Sequence, residues 1–185
     1  MSETERIVPS NVRTIYKGRI FTVQVETIAL PKGGTLDAEI VRHPGSVVIV
    51  PITAADEIVL VRQYRAALGR WAWELPAGSL KPGEDVEKAA MRECHEEIGF
   101  VAEHMEPLGA FYPTPGYCDE LMNFYRATGL RAPRDDEHAE QDEDEDIEAK
   151  PFLRSEISRM IAAGEIIDLK TIAGLALHSE GNRKQ

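Results

Sequence analysis

Three glutamates crowd a single helix turn and a half: Glu93, Glu96 and Glu97, within Arg92-Glu93-Cys94-His95-Glu96-Glu97-Ile98-Gly99-Phe100. Spacings of three and four put them on one helix face. Like charges so placed cost about 0.2–0.5 kcal/mol per pair even when solvated. They also lie near the helix C-terminus, where the macrodipole disfavours negative charge. Both penalties ease if a cation binds there, and a hard divalent ion with oxygen ligands is the simplest candidate. The glycine-bounded stretch Gly78-Ser79-Leu80-Lys81-Pro82-Gly83-Glu84 ends shortly before Arg92. The plain alternative is a surface helix that is merely acidic.

The elements that must hold these residues can be read from patterning. Gly78 to Glu84, with two glycines and Pro82, reads as a loop. Asp85 is the expected N-cap of a helix from Val86 to about Ile98. Val86, Ala89 or Ala90, Cys94 and Ile98 give it an apolar stripe opposite the carboxylates, and Gly99 stops it. Upstream, Phe21 to Leu30 and Leu36 to Arg42 read as a hairpin turned by Pro31-Lys32-Gly33-Gly34. Ser46 to Ile52 is a β-branched run suited to burial on both faces. Ile58 to Tyr64 and Trp71 to Leu75 are further strands. Downstream, Leu108 to Tyr112, Glu120 to Arg131 and a run near Ile147 to Leu153 read as strands. Ser155 and Asp168 are the expected caps of two closing helices. Strands before, between and after helices predict an α/β fold, a mixed sheet covered by helices on both faces.

At 185 residues, 43% hydrophobic and 29% charged, the chain suits one globular domain with a substantial core. A formal net charge of −11 argues against a nucleic-acid partner, which needs a basic footprint. No apolar run approaches the roughly 20 residues that span a bilayer, so no membrane role is expected. The N-terminus lacks an export pattern, and two cysteines make no disulfide framework, so a cytoplasmic setting is expected. An acidic protein acting on an anionic substrate needs local cations, either metal ions or arginines.

Gly78, Glu84, Arg92, Glu93, Glu96, Glu97 and Gly99 match every fixed position of the Nudix box, with Cys94 and Phe100 at its apolar positions. From about Ser46 to Ser179 the chain resembles the Nudix hydrolases. The resemblance implies an α/β/α sandwich over residues 46–180, preceded by an N-terminal β region at 1–45 that dimerises. It also implies divalent metal, Mg²⁺ or alternatively Mn²⁺, on Glu93, Glu96, Glu97 and the carbonyl of Ala77. Glu93 and Glu97 carry the most weight, and Glu97 is also a catalytic candidate. Glu84 and Arg92 would pair and hold loop against helix. For the general base, Asp142 to Ile147 resembles a later loop of the ADP-ribose pyrophosphatase branch, with Glu143 the first choice and Glu145 the second. A solvated acidic loop without chemical duty is the alternative there.

Three further segments resemble that branch: Arg62-Gln63-Tyr64-Arg65 with Trp73-Glu74-Leu75-Pro76-Ala77-Gly78, the loop around Pro115, and Gly164 to Thr171. They imply hydrolysis of ADP-ribose, a nucleoside diphosphate sugar, to AMP and ribose 5-phosphate. Alternatives are another sugar nucleotide such as GDP-mannose, or a module that binds a nucleotide without cleaving it. Arg65, Arg62 and Pro115 are the substrate-binding candidates. Guanidinium can grip phosphate bidentately, although an ion pair of Arg65 with Glu74 is the structural alternative. The branch further implies a homodimer through N-terminal strands, where Phe21 could lie against the base or simply be buried.

Overall fold

The computed structural model describes residues 7–137 and 147–181. Their contacts form two compact units. One unit holds the described residues up to Gly45 together with Tyr112–Leu121. Its three strands, β1 (Asn11–Lys17), β2 (Thr22–Ala29) and β3 (Thr35–Arg42), make an antiparallel sheet in chain order. The hairpin of β2 and β3 is the expected one. Sequence patterning missed β1, whose seven residues are all exposed and so leave no inward-facing alternation to detect. Phe21 precedes β2, touches Tyr16 with ring centroids 6.1 Å apart, and stays 42% exposed. Core burial is therefore not its fate within one chain. The segment Tyr112–Leu121 joins this sheet because Val41 N donates to Tyr117 O (2.7 Å) and Asp119 N to Val41 O (3.1 Å). Arg42 then bridges Glu26 (2.7 and 2.6 Å) and Asp119 (2.9 Å).

The second unit carries β4 (Ser46–Pro51), β5 (Ile58–Arg65), β6 (Arg70–Glu74), β7 (Ala77–Ser79), β8 (His104–Phe111), β9 (Met122–Thr128) and β10 (Glu148–Phe152). It also carries helices α1 (Val86–Ile98), α2 (Arg154–Ala162) and α3 (Leu169–Gly181). A four-stranded sheet runs β7-β4-β9-β8, with the β4–β9 pair parallel and the others antiparallel. A three-stranded antiparallel sheet runs β10-β5-β6.

Alternation along β4 and β5 explains the layering. Val47, Ile49, Val59 and Val61 pack with Ala89, Ala90, Cys94 and Ile98 of α1. Val48, Val50, Ile58 and Leu60 point the other way, onto Ile157 and Met160 of α2 and partly buried residues of α3. Every residue of β4 is buried, so neither of its faces sees water. Full burial of each such side chain contributes about 1.5–3 kcal/mol.

Helix α1 begins and ends where its residues predict. Lys88 N donates to Asp85 Oδ1 (3.0 Å), and Gly99 closes the helix at φ 71°. Asp168 caps α3, accepting from Thr171 N at 2.9 Å. Ser155 does not cap α2. The N-cap is Leu153, whose N–H donates to Glu156 Oε2 (2.9 Å), and Ser155 lies inside the first turn. A glutamate three residues into a helix can return a bond to the cap backbone and so set the start. The stretch Gly78 to Glu84, expected as loop, instead gives its first two residues to β7, which pairs with Ser46, Val47 and Val48.

Candidate active site

β7 lies against the acidic face of α1. Glu93 is 9% exposed and Glu97 6%, so both count with the core although they carry charge. Sequence periodicity put these carboxylates opposite the apolar stripe; the structure sinks them beside Cys94 and Ile98, under Ala77 and Gly78. Gly78 makes the approach possible, because a Cβ there would fall 2.0 Å from Glu93 Cδ. Glu97 Oε2 accepts from Ala77 N at 3.0 Å. Strand and helix are thus in direct contact through Ala77 and Glu97.

Arg92 organises the other side. Its Nε and Nη2 donate to Glu84 Oε1 (2.8 Å) and Oε2 (2.9 Å). Its Nη1 donates to Glu93 Oε1 (2.6 Å) and Glu96 Oε2 (2.7 Å). Glu84 also accepts from Lys81 N at 2.9 Å, so the pair pins loop to helix. The Arg92 hydrogen bonds, helped by that backbone N–H, hold the Glu84 carboxyl down at about 2. Arg92 is itself raised, chiefly by Glu84. Three carboxylates share one guanidinium, and Glu97 adds a fourth negative charge one position on. Burial, with the Glu97 charge adding to it, pushes the Cys94 thiol up to about 12, which leaves no thiolate for nucleophilic chemistry at neutral pH.

These donors fit a hard divalent ion in type: buried carboxylates and backbone, on a rigid helix and strand. Among the described residues no group of three or more His, Cys, Asp or Glu side chains stands arranged to hold a metal ion by itself. A divalent ion that takes one or two carboxylates from the protein and completes its shell with water and substrate phosphate needs no such group.

The remaining candidates divide. Arg65 grips Glu74 bidentately, Nε to Oε1 at 3.0 Å and Nη2 to Oε2 at 2.7 Å. Its raised pKa comes first from that contact, with the charge of Glu97 adding to it. Arg62 is turned elsewhere: 3.6 Å from Glu148 and with Cζ 5.2 Å from the Trp71 ring centroid. Pro115 belongs to the other unit, exposed in a turn where Cys118 N donates to Thr114 O. Glu143 and Glu145 lie outside the described residues. Lys170 is a participant that sequence reading quoted without assigning a role. It donates both to Glu74, where Arg65 also binds, and to Asp168 (2.9 Å).

The chain is similar to known proteins over most of its length. The NUDIX domain model matches residues 42–173. The chain is 40% identical over 158 residues to a methanol dehydrogenase activator of Bacillus methanolicus, covering 85% of this chain and 84% of the relative. It is 36% identical over 157 residues to an ADP-ribose pyrophosphatase of Bacillus subtilis, with 85% and 84% covered. A crystal structure of an ADP compounds hydrolase superposes with a TM-score of 0.82 at 25% identity, covering 100% of this chain and 98% of that one.

Proposed function

This chain belongs to the Nudix hydrolase family, and from that premise we propose that it hydrolyses ADP-ribose to AMP and ribose 5-phosphate. The observation that carries the reading is the buried pair Glu93 and Glu97, facing Ala77 and Gly78. The relative named for ADP-ribose supports the substrate. Glu93, Glu96, Glu97 and the Ala77 carbonyl would hold the divalent ion, Mg²⁺ by preference and Mn²⁺ as the alternative. Bound there, such an ion neutralises phosphate oxygens and makes water a stronger nucleophile. In the reaction, water oxygen bonds to one phosphorus while the bridging P–O bond breaks. The leaving phosphate keeps the bonding electrons, and the water proton passes to a base. We assign that base to Glu143, with Glu145 second, on the resemblance of their segment. The chain's described residues fix the geometry: Ala77 N–H orients Glu97, and Arg92 with Gly78 orients Glu93. Arg65 pairs with Glu74 in this structure, the alternative its sequence also allowed, and its assignment to the phosphate rests on the resemblance of its segment.

Incubating purified protein with ADP-ribose and Mg²⁺, and following AMP by chromatography, tests the reading. Glu97→Gln should lower kcat roughly a hundredfold, the scale of removing one well-placed electrostatic group. Unchanged turnover in that variant removes the metal assignment. A parallel panel of ADP compounds and GDP-mannose decides among sugar nucleotides. Tight binding without product, with either metal present, would make the chain a nucleotide-binding module instead.

We further propose a homodimer through the N-terminal sheet. Val12, Ile15, Tyr16, Ile20 and Phe21 are each at least 42% exposed in the single chain, which supports a covering partner. Among the described residues no helix is long and apolar enough to cross a membrane, and Cys94 and Cys118 are free thiols. The cytoplasmic setting is proposed on the sequence alone.

A further inference from the structure

We propose that Asp168, Lys170 and Thr171, at the start of α3, are positioning residues that fix the Leu75–Ala77 backbone so that Ala77 meets Glu97. The inference rests on the metal site described above. Thr171 is fully buried. Its Oγ1 accepts from Leu75 N at 2.8 Å and donates to Asp168 Oδ2 at 2.6 Å. Asp168 Oδ2 also accepts from Thr171 N and from Lys170 Nζ, both at 2.9 Å. Lys170 reaches on to Glu74, the residue before Leu75, which is 2% exposed and held from its other side by Arg65.

The segment is therefore pinned residue by residue from three elements. Glu74 and Leu75 are held by α3. Pro76, whose ring fixes φ, has its carbonyl bonded to Ile49 N of β4 at 2.9 Å. Ala77 N then reaches Glu97 of α1. Leu75 N is only two residues from Ala77 N, so a shift at Thr171 is expected to carry through to the Glu97 carboxylate even though β4 also holds Pro76 and Ala77. Plain packing could fasten α3 to the sheet. Two carboxylates and two cations, formally balanced and mostly out of water, suit fixing an orientation better than adding stability. The hydroxyl at residue 171 is the part that apolar packing could not replace.

Thr171→Val removes the hydroxyl and nearly keeps the volume, and Thr171→Ser restores it. The first readout is amide hydrogen exchange in the metal-free protein, which does not depend on any substrate assignment. Exchange at Leu75 and Ala77 should quicken about tenfold or more in Thr171→Val, with mid-α1 amides unchanged, and return in Thr171→Ser. The second is calorimetric Mg²⁺ titration, where affinity should fall about tenfold in Thr171→Val and recover in Thr171→Ser. In turnover assays kcat should fall while KM for ADP-ribose stays within about twofold, because misplacement of a reacting group costs rate more than binding. Asp168→Asn, which keeps size and removes the charge, should act in the same direction if Thr171→Val does not fold. Unchanged exchange at Ala77, or a lower Tm with unchanged Mg²⁺ affinity, overturns the proposal. Quickened exchange in a protein that binds no Mg²⁺ at all would leave the fastening intact but refute the metal site it is said to serve.

Discussion

Gly78 carries no side chain because Glu93 occupies the space where one would stand. A methyl group placed 2.0 Å from the Glu93 carboxyl carbon must displace either that carboxylate or β7. Gly78→Ala should therefore lower turnover about a hundredfold, the usual scale for moving a reacting group by an ångström, with a stability loss of about 1–3 kcal/mol by urea titration. An active Gly78→Ala enzyme would mean that Glu93 is free to move. Glu84 supports a second expectation. Its carboxyl, ordinarily at 4.5, is held at about 2 in the folded chain, mainly by Arg92. A depressed carboxylate stabilises the fold above its ordinary value and loses that contribution as pH falls through the folded one. The stability gap between wild type and Glu84→Gln should be constant from pH 7 to about 5, then close as pH falls from 4.5 towards 2. Much of this was legible at residue level, since spacing marked Glu93, Glu96 and Glu97 as one group. The bond from Arg92 to Glu93 was not, because adjacent residues on a helix do not face each other. The close approach of Gly78 to Glu93 was not legible either, because it depends on β7 packing against α1.

At the scale of elements, α1 was readable from end to end because its signals are local: Asp85 caps it, its apolar residues recur with the helix period, and Gly99 ends it. β7 was not readable, since a three-residue strand with a glycine at its centre forms only through pairing with β4. The start of α2 was misread because a serine two residues past the cap looks like the cap itself. Glu156 and not Ser155 bonds the first free backbone group. Gly99 offers a clean test of how far element stability and site chemistry separate. It sits at φ 71° with nothing within 4 Å of where a Cβ would be, so Gly99→Ala meets only backbone strain. The cost should be about 1–2 kcal/mol, seen as a lower denaturation midpoint. AMP release at 25 °C should change less than twofold. A large loss of activity would show that the helix end itself, two residues past Glu97, belongs to the site.

Among the described residues, exposed large apolar side chains occur in both units but are denser in the smaller N-terminal one, while net charge of −11 opposes bringing two copies together. The sequence reading placed a hairpin there. It could not foresee that Tyr112–Leu121, some seventy residues away, would add to the same unit through bonds to Val41. Two opposing terms act on the proposed dimer, and salt separates them. Apolar burial is little affected by moderate salt, whereas repulsion between like-charged copies is screened within a Debye length of about 10 Å at 0.1 M. Raising NaCl from 0.05 to about 0.5 M should therefore tighten association in analytical ultracentrifugation. Ile15→Glu with Tyr16→Glu, which adds charge to exposed β1, should give a monomer at every salt concentration while leaving far-ultraviolet circular dichroism unchanged. A dimer that dissociates in salt would instead be held by ion pairs, and the apolar surface of β1 would have to serve some other contact.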